Sequence, residues 1–349
     1  MAAERLAAVT KSEEQLLEAA RRGDEGAFSQ LIASHRQALH AHCYRMLGSV
    51  QDAEDSLQET LLNAWRALPR FKGRSSLKSW LYRIATNACL KTIERRPGRV
   101  LPVDYGPGAG PHDPLAQPLV ESVWLEPYPT MGIELEDPLA SPDARYEQRE
   151  SVELAFVAAL QHIPARQRAV LILRDVLGFS AREVAETLEM TPAAVDTALQ
   201  RADKTVDERV PARSQQATLH VLGDERLREI VNGFVDAWER ADVDAVVAML
   251  AHDATISMPP LPTWYRGRDA VATFLRAVPL AAGTRWRLLP VNANGQLAFG
   301  EYRWNETTER FVGEGVTVLT IEDALVAHIT AFRTPELFTH FGLPEQLEP

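Results

Sequence analysis

The most distinctive residues for chemistry are cations that alternate with aromatic side chains in residues 70–96, RFKGRSSLKSWLYRIATNACLKTIERR. Lysine and arginine can hold a nucleic-acid backbone while an aromatic ring such as Trp80 stacks on an unpaired base. The alternative is a solvated basic helix whose Trp80 lies in the hydrophobic core. The candidate DNA-binding residues of this segment are Lys72, Arg74, Lys78, Trp80, Arg83, Asn87 and Lys91.

A second candidate DNA-binding surface is predicted in FSAREVAETLEM and TPAAVDTALQRADKTV. Ser180 and Glu183 form a capping-box pattern, and two short helices separated by about three residues predict a helix-turn-helix. If Val195 and Leu199 face inward, the outer face can reach bases or phosphates, although a simple αα-hairpin is the alternative. The candidates are Arg182, Thr191, Thr197, Gln200, Arg201 and Lys204.

A third group of residues combines aromatic rings with acid–base side chains near the end of the chain. A pocket there would be lined by Trp264, Tyr265, Phe274, Trp286, Tyr302, Trp304 and Phe332. Acid–base chemistry inside it would fall to Asp253, Glu301, Glu314 and His328 if they point inward. The alternative is that the aromatic residues are core and the polar residues are exposed.

The usual signals of cofactor and metal chemistry are missing from the sequence. It contains no glycine-rich phosphate loop, no H-E-x-x-H and no C-x-x-C. Cys43 and Cys89 lie within helical patterns, which is typical of reduced core thiols. No apolar run approaches the roughly 20 residues of a membrane helix, and no signal peptide is visible. We therefore expect a cytoplasmic protein with no cofactor, no metal and no membrane contact.

The elements that must position the two basic surfaces are helices. Apolar periodicity predicts an all-α segment over residues 12–97, with Ser49 and then Ser75 or Ser76 as helix caps. Residues 149–211 are predicted to be helical again, and they contain the helix-turn-helix.

Two further segments have a different character. Residues 98–148 are rich in Pro, Gly and acidic residues and are predicted to be an extended linker, whose aromatic VWLEPYP segment we expect to dock. Residues 222–345 contain helices followed by the runs RWRLLPVNANG, QLAFGEYRWN, RFVGEGVTVLTIE and ALVAHITAFRT. Helices followed by consecutive strand-like runs predict an α+β domain with a curved antiparallel sheet.

The distribution of charge favours polyanion contact only near the start of the chain. The net charge of the 349 residues is −11. Residues 1–97 nevertheless carry +4, from 15 basic and 11 acidic residues, whereas residues 98–150 carry −7, from 3 basic and 10 acidic residues. The acidic helix DAEDSLQETLLNAW directly precedes the basic segment, and helix-dipole stabilisation alone is one explanation for its charge.

Three long stretches resemble the extracytoplasmic function (ECF) sigma factors of the sigma-70 superfamily of RNA polymerase. They are HCYRMLGSVQDAEDSLQETLLNAW, RFKGRSSLKSWLYRIATNACL and IPARQRAVLILRDVLGFSAREVAE. The chain from residue 222 resembles the SnoaL-like domain, a cone-shaped α+β fold that is appended in one group of such factors. The resemblance implies two all-α sigma domains, the second a helix-turn-helix, followed by that cone.

In this family, the domain matching residues 12–97 is sigma region 2, which binds the core polymerase and the minus-ten promoter element. The domain matching residues 149–211 is sigma region 4, which reads the minus-thirty-five element. The helix that matches DAEDSLQETLLNAW docks on the clamp helices of the β′ subunit. The corresponding candidates for polymerase contact are Asp52, Asp55, Gln58 and Glu59.

Four residues depart from the pattern of the family. Asp196 and Asp203 stand where uncharged and basic residues are common, and Ala88 stands where a basic residue is frequent. Carboxylates repel phosphate, so these differences weaken the inference of DNA binding. Thr334 replaces a candidate acid of the cone, which lowers the expectation of the acid–base chemistry known for SnoaL-like enzymes.

These features together predict a non-catalytic sigma factor that directs promoter-specific transcription initiation. Its expected partners are the core RNA polymerase and promoter DNA, with a small ligand or a regulatory protein as a candidate partner of the SnoaL-like domain. The alternative is a cyclase, isomerase or hydrolase that acts on a small hydrophobic metabolite, with degenerate sigma domains as a scaffold. A regulator that binds polymerase or another protein without reading DNA is a third interpretation.

Overall fold

The structure is a computed structural model that describes residues 13–96, 98–120, 123–130 and 152–349. These residues form two compact units. The helical unit contains residues 13–96 and 160–208, and the sheet unit contains residues 98–120, 123–130, 152–159 and 209–349. The predicted boundaries at residues 12, 97, 148 and 149 lie outside the described residues.

Four helices make up the first half of the helical unit. They are α1 (13–21), α2 (Glu25–Leu47), α3 (Val50–Ala67) and α4 (Leu77–Ile93). A short 3₁₀ turn, Leu68–Arg70, follows α3. The side chain of Ser49 caps α3 as predicted, and Ser76 rather than Ser75 caps α4 by accepting the Ser79 N–H at 3.0 Å. Both cysteines are buried free thiols in this core.

The helices from residue 154 to residue 209 include the helix-turn-helix. They are α5 (Leu154–Gln161), α6 (Ala165–Leu171) with a π-helical continuation (Ile172–Val176), α7 (Ala181–Leu188) and α8 (Pro192–Arg209). The capping box predicted at the start of α7 is present. Val195, Ala198 and Ala202 form the buried face of α8, and Leu199 is half-buried.

The two halves of the helical unit are joined by the buried guanidinium of Arg168 in α6. It donates hydrogen bonds to the carbonyl of Met46 at the end of α2, to Gln161 Oε1 at 2.7 Å and to the carbonyl of Ile163 at 3.1 Å. Burial lowers the pKa of Arg168 to about 10, and the group is therefore still charged at neutral pH. A charge in this position forms strong hydrogen bonds to carbonyl groups at the end of α2 and before α6.

The sheet unit places three helices against a seven-stranded sheet. The helices are α9 (Gln215–Glu239, kinked at Gly223), α10 (Val243–Ala248) and α11 (Arg268–Ala277). The strands are β1 (Leu250–Ser257), β2 (Trp264–Arg266), β3 (Trp286–Ala293), β4 (Gln296–Asn305), β5 (Arg310–Glu322), β6 (Leu325–Phe332) and β7 (Gln346–Leu347).

The four strand-like runs of the sequence are confirmed as β3 to β6, which pair antiparallel in chain order. The sheet order is β2-β1-β6-β5-β4-β3, with β7 on β5, and β1 lies parallel to β6. Asn294 and Gly295 connect β3 to β4 with φ values of 55° and 67°, the left-handed conformation that a two-residue hairpin favours. None of the described helices is long and apolar enough to cross a membrane.

The linker segment VWLEPYP docks on the sheet unit, as its aromatic content predicts. Trp124, Leu125 and Tyr128 are almost completely buried. The side chain of Asn294 accepts the Tyr128 N–H at 2.8 Å, and the Tyr128 carbonyl accepts the Asn294 N–H at 2.7 Å. The hairpin between β3 and β4 therefore holds this part of the linker.

An earlier part of the linker crosses β2 and the loop before it. The indole N–H of Trp264 donates to the Gly106 carbonyl at 2.9 Å, and the Ala109 N–H donates to the Trp264 carbonyl at 2.8 Å. The Ala116 N–H donates to Thr263 Oγ1 at 3.0 Å, and the Leu119 N–H donates to the Pro260 carbonyl at 3.0 Å. We call residues 98–120 and 123–130, which dock on the sheet unit, the strap. As predicted for a linker, the strap contains no long helix or strand, but it is docked rather than free.

Candidate functional site

One stripe along α3 carries acidic side chains and is exposed to solvent. Asp55 and Gln58 are exposed, and Glu59 is partly exposed and accepts a hydrogen bond from the Lys91 ammonium at 2.8 Å. Leu62, which sequence reasoning did not select, is 55% exposed on the same stripe, three residues after Glu59 and four after Gln58. This stripe therefore combines acidic and amide groups with one solvent-exposed apolar side chain.

Asp52 does not belong to this face. Its side chain is only 6% exposed and forms an ion pair with the guanidinium of Arg96, just beyond the end of α4. Val50 and Ala53 of the same turn are buried with it, whereas Gln51 is exposed. The prediction that Asp52 contacts a partner is corrected by this burial.

The cations of α4 and of the loop before it form an exposed basic surface. Arg83, Asn87 and Lys91 recur at intervals of four residues and lie on one solvent-facing side of α4. Lys72 and Arg74 are exposed in the preceding loop, and Lys78 is half-buried. This surface can hold phosphates, although Lys91 is already paired with Glu59.

The aromatic residues of the same segment face the opposite way. Trp80 is 6% exposed, and its ring centroid lies 4.9 Å from that of Phe71. Tyr82 is buried between His42 and Phe179, with ring centroids 5.2 Å and 5.6 Å away. Trp80 is a core residue here, so its predicted role in stacking on a base is corrected.

The outer face of α8 is exposed at the predicted positions, as is Arg182 on α7, which forms an ion pair with Glu186. The exposed candidates are Thr191, directly before α8, and Thr197, Gln200, Arg201 and Lys204 on α8. Thr197 Oγ1 donates to the Ala193 carbonyl at 3.0 Å, so this hydroxyl group is already engaged within the helix. Gln200 and Arg201 are then the polar side chains of this face best placed to contact base edges in a DNA groove.

The two aspartates that depart from the pattern of the family lie in different places. Asp196 is exposed on the outer face of α8. Asp203 turns toward Asp175 of the π-helical segment, and burial, followed by this second carboxylate, raises its pKa. Only Asp196 therefore opposes a phosphate backbone at this face, which corrects the expectation that both do.

The helix-turn-helix contacts α4 inside the helical unit. Ser79 Oγ donates to Glu183 Oε1 at 3.2 Å, while the N–H of Ser180 donates to Glu183 Oε2 at 2.9 Å. These hydrogen bonds hold the pKa of Glu183 below its usual range, the contribution of Ser180 being the largest. The same glutamate thus caps α7 and attaches it to the basic helix.

The sheet unit contains a cavity of about 210 Å³ between its helices and the concave face of its sheet. Of the aromatic residues predicted to line it, Phe274 and Trp286 do. Sequence reasoning missed Trp238, Met258 and Leu115, the last from the docked strap. The apolar spacing of α9 marks Trp238 as a core residue, and that signal does not distinguish a core position from a cavity wall.

The other predicted aromatic residues lie elsewhere in the sheet unit. Trp264 and Tyr265 contact the strap, through Gly106 and through the Asp113 carbonyl. The remaining three face away from the cavity: Tyr302 donates to the Pro344 carbonyl, Trp304 packs on Phe311, and Phe332 lines a smaller cavity with the strap residues Trp124 and Leu125.

Among the acid–base candidates, only Glu301 lines the cavity. It is fully buried, accepts a hydrogen bond from Thr317 Oγ1 at 2.7 Å, and has a pKa that burial raises. Glu314 bridges Arg303 and Arg333 at the cavity edge, with distances of 2.7 Å and 2.6 Å. Asp253 and His328 are exposed and outside the cavity, His328 being hydrogen-bonded to Thr255, so their predicted place in a pocket is corrected.

No group of three or more histidine, cysteine or carboxylate side chains that could hold a metal occurs among the described residues. The arrangement therefore offers three distinct surfaces: an acidic stripe on α3, basic faces on α4 and α8, and an apolar cavity with a charged edge.

Profiles of known families match three parts of the chain. Sigma-70 region 2 matches residues 31–97, Sigma-70 region 4 matches residues 153–205, and the SnoaL-like domain matches residues 231–329. The chain is 40% identical over 329 residues to the ECF RNA polymerase sigma factor SigG of Mycobacterium tuberculosis, and this alignment covers 94% of the chain and 86% of SigG. The chain belongs to the ECF sigma factors.

The chain also matches a second member of the family at lower identity. ECF RNA polymerase sigma factor SigJ of Mycobacterium tuberculosis is 25% identical over 323 residues, which are 89% of this chain and 93% of SigJ. The crystal structure of SigJ matches this sigma factor with a TM-score of 0.59 and 24% identity, covering 90% of this chain and 99% of the SigJ chain. The predicted combination of helical sigma domains and a C-terminal SnoaL-like fold is confirmed.

The two aspartates generate a paired prediction. Asp196→Asn should strengthen binding of the full chain to nonspecific duplex DNA and steepen its salt dependence by up to about one unit of the log–log slope. Asp203→Asn should leave both quantities unchanged, because Asp203 faces Asp175 rather than the outer surface. Fluorescence anisotropy between low and moderate salt measures both; equal effects of the two substitutions would contradict the assignment.

Asp203→Asn should instead change the pH dependence of stability. A folded-state pKa raised above the ordinary value of 3.8 means that the native state loses stability as pH rises through the raised pKa. Removing the titrating group should therefore stabilise the chain at neutral pH, by less than about 1 kcal/mol because Asp203 is partly solvated. Urea unfolding at pH 4 and pH 7 measures this, with Asp196→Asn as the matched control.

Proposed function

We propose that this protein is a transcription-initiation factor that binds core RNA polymerase through α3 and directs it to particular promoters through α4 and α8. The observation that carries the proposal is the separation of charge within one helical unit. Acidic and amide groups line the exposed stripe of α3, whereas cations line the exposed side of α4. Faces of opposite sign suit two partners, a protein surface and a polyanion.

On the polymerase side, we propose that the clamp helices of the β′ subunit pack on Asp55, Gln58, Glu59 and Leu62. An exposed leucine surrounded by polar groups has the character of an interface anchor, because its burial is favourable only when a partner covers it. The acidic neighbours would steer a basic partner and fix its orientation.

On the promoter side, we propose that α4 contacts the minus-ten element and that α8 contacts the minus-thirty-five element. By their names these elements lie about 25 base pairs apart, which is about 85 Å of B-form DNA at 3.4 Å per base pair. A helical unit in which Ser79 bonds Glu183 cannot reach both at once. We therefore propose that it opens when the polymerase and promoter are bound, breaking the Ser79–Glu183 and Tyr82–Phe179 contacts.

The sheet unit is proposed to regulate this opening through the strap. The strap belongs to the segment of chain that connects α4 to α5, and a free segment spans at most about 3.3–3.6 Å per residue. While residues 98–120 and 123–130 are docked, they cannot extend, so the connection between α4 and α5 spans a shorter distance. Undocking the strap would therefore allow α4 and α8 to separate further.

A catalytic role for the sheet unit has less support. Of the four acid–base candidates, Glu301 alone lines the cavity, and its carboxyl group is held by Thr317. The relatives that match most of the chain are named sigma factors. We propose a binding and regulatory role for the sheet unit rather than turnover of a metabolite.

The polymerase contact is tested by Leu62→Asp. We expect this substitution to weaken the affinity of the full chain for purified core RNA polymerase by at least about tenfold, because a charge replaces the proposed anchor. Val221→Asp, at an apolar position that is 69% exposed in α9, is the matched control and should leave affinity unchanged. Equal affinities for both variants would place the polymerase contact elsewhere.

The role of the strap is tested by Leu125→Asp. Leu125 is fully buried, so the charge should expel this part of the strap and raise promoter-dependent transcription, by about fivefold if the coupling is of ordinary size. Val120→Asp makes the same change in the same strap at a position that is 70% exposed. If Leu125→Asp leaves transcription at the level of Val120→Asp, strap docking does not restrain the sigma domains.

A further inference from the structure

The cavity of the sheet unit has an apolar body. Its walls include Trp238, Phe274 and Trp286, together with Ile256 and Met258 of β1 and the loop that follows it. A dry apolar cavity of about 150 Å³ is large enough to bind benzene. The 210 Å³ available here therefore accommodates one aromatic ring and a short substituent.

One edge of this cavity is charged rather than apolar. Arg303 and Arg333 both line it, and both pair with the single carboxylate of Glu314. One carboxylate neutralises only one of two guanidinium groups, so this edge keeps an excess positive charge when Glu301 is protonated. Such an edge attracts an anion and repels a cation.

Glu301 lies at the same edge, next to a bulge in β5. Glu301 pairs with Gly315 and Tyr302 pairs with Gly313, so Glu314 is the extra residue of β5 at this point. Thr317 donates to one oxygen of Glu301, and a protonated carboxyl can donate from its other oxygen to a ligand. The groups that face Glu301 are Arg333, Glu314 and Thr317.

We infer that this cavity is a binding site for a small aromatic monocarboxylate. Its ring would lie among Trp238, Phe274 and Trp286, and its carboxylate would accept hydrogen bonds from Arg303 and Arg333, and from Glu301 whenever that carboxyl group is protonated. Arginine forms its strongest hydrogen bonds with carboxylates, and burial of the ring supplies the remaining affinity.

The site also includes one residue of the strap. Leu115 lines the cavity and is held between Ala109 and Ala116, whose N–H groups donate to Trp264 and Thr263. A ligand that contacts Leu115 favours the docked strap, and by reciprocity the docked strap favours the ligand. The consequence for transcription rests on the proposed function, whereas binding of the ligand does not.

Calorimetric titration of the full chain with 3-phenylpropanoate and with its neutral isostere 3-phenylpropanamide tests the site. We expect the acid to bind at least about tenfold more tightly than the amide, because charge-assisted hydrogen bonds are roughly twice as strong as neutral ones. Arg333→Gln should remove this preference. Arg310→Gln, an arginine of β5 paired with Glu348 outside the cavity, should keep it.

A second variant, Glu301→Gln, keeps the shape of the side chain and removes its titration. Glu301 ionises as pH rises through its raised pKa, and its charge then repels the ligand carboxylate, so affinity for the acid should fall. In Glu301→Gln the affinity should not change over the same pH range. The inference would be overturned by any of three results: no binding of the acid, equal affinity for the acid and the amide, or the same acid preference in Arg333→Gln and Arg310→Gln. None of these measurements involves polymerase, so they are independent of the proposed function.

Discussion

A single buried cation determines how the helical unit is assembled. Arg168 lies in α6, yet its hydrogen bonds reach the carbonyl at the end of α2 and the carbonyls before α6. A buried guanidinium is stable only where most of its donors are satisfied, so it fixes the position of α6 relative to α2. Phe179 against Tyr82 and Glu183 against Ser79 follow from that placement.

Charges of opposite sign lie close together where α3 meets the C-terminal part of α4. Asp52 and Glu59 of α3 pair with Arg96 and Lys91, so the two charged helices stabilise each other where they meet. Away from that seam, each helix keeps its own charge exposed. The acidic stripe of α3 and the basic side of α4 thus both stay exposed to solvent, because only the residues at the seam pair with each other. The strap is held separately, by the sheet unit.

Local patterns in the sequence were sufficient to predict much of the fold. Ser49, Ser76 and the Ser180–Glu183 capping box mark three helix starts, and alternation of apolar residues marks β3 to β6. Exposure on the outer face of α8 follows from the same periodicity. These features depend on neighbours three or four residues away, or on alternation along a strand.

The wrong predictions concern side chains whose environment is determined by residues beyond the neighbouring turn of helix or the next position of a strand. Trp80 has the spacing of both a core residue and a base-stacking residue, and its packing on Phe71, nine positions earlier, together with its burial, marks it as a core residue. Asp203 is turned from the outer surface by Asp175, which lies 28 positions earlier in the chain. Residues 298–302 of β4 are all buried, so alternation of burial does not show which of them face the cavity.

The charged edge of the cavity was missed for a related reason. Arg303 and Arg333 belong to strand ends that normally face solvent, and nothing local indicates that Glu314 of the neighbouring strand draws them together. Leu115 lies far from the sheet in sequence, so its contribution to the cavity depends on docking of the strap.

If the acidic stripe of α3 and the basic faces of α4 and α8 together make a working initiation factor, the protein must start transcription at defined promoters. Run-off transcription with purified core RNA polymerase, the full chain and a library of genomic promoter fragments measures this. We expect discrete start sites that require the chain. If the chain neither binds core polymerase nor yields transcripts from any fragment, the protein is not an initiation factor and the charge separation of the helical unit has another purpose.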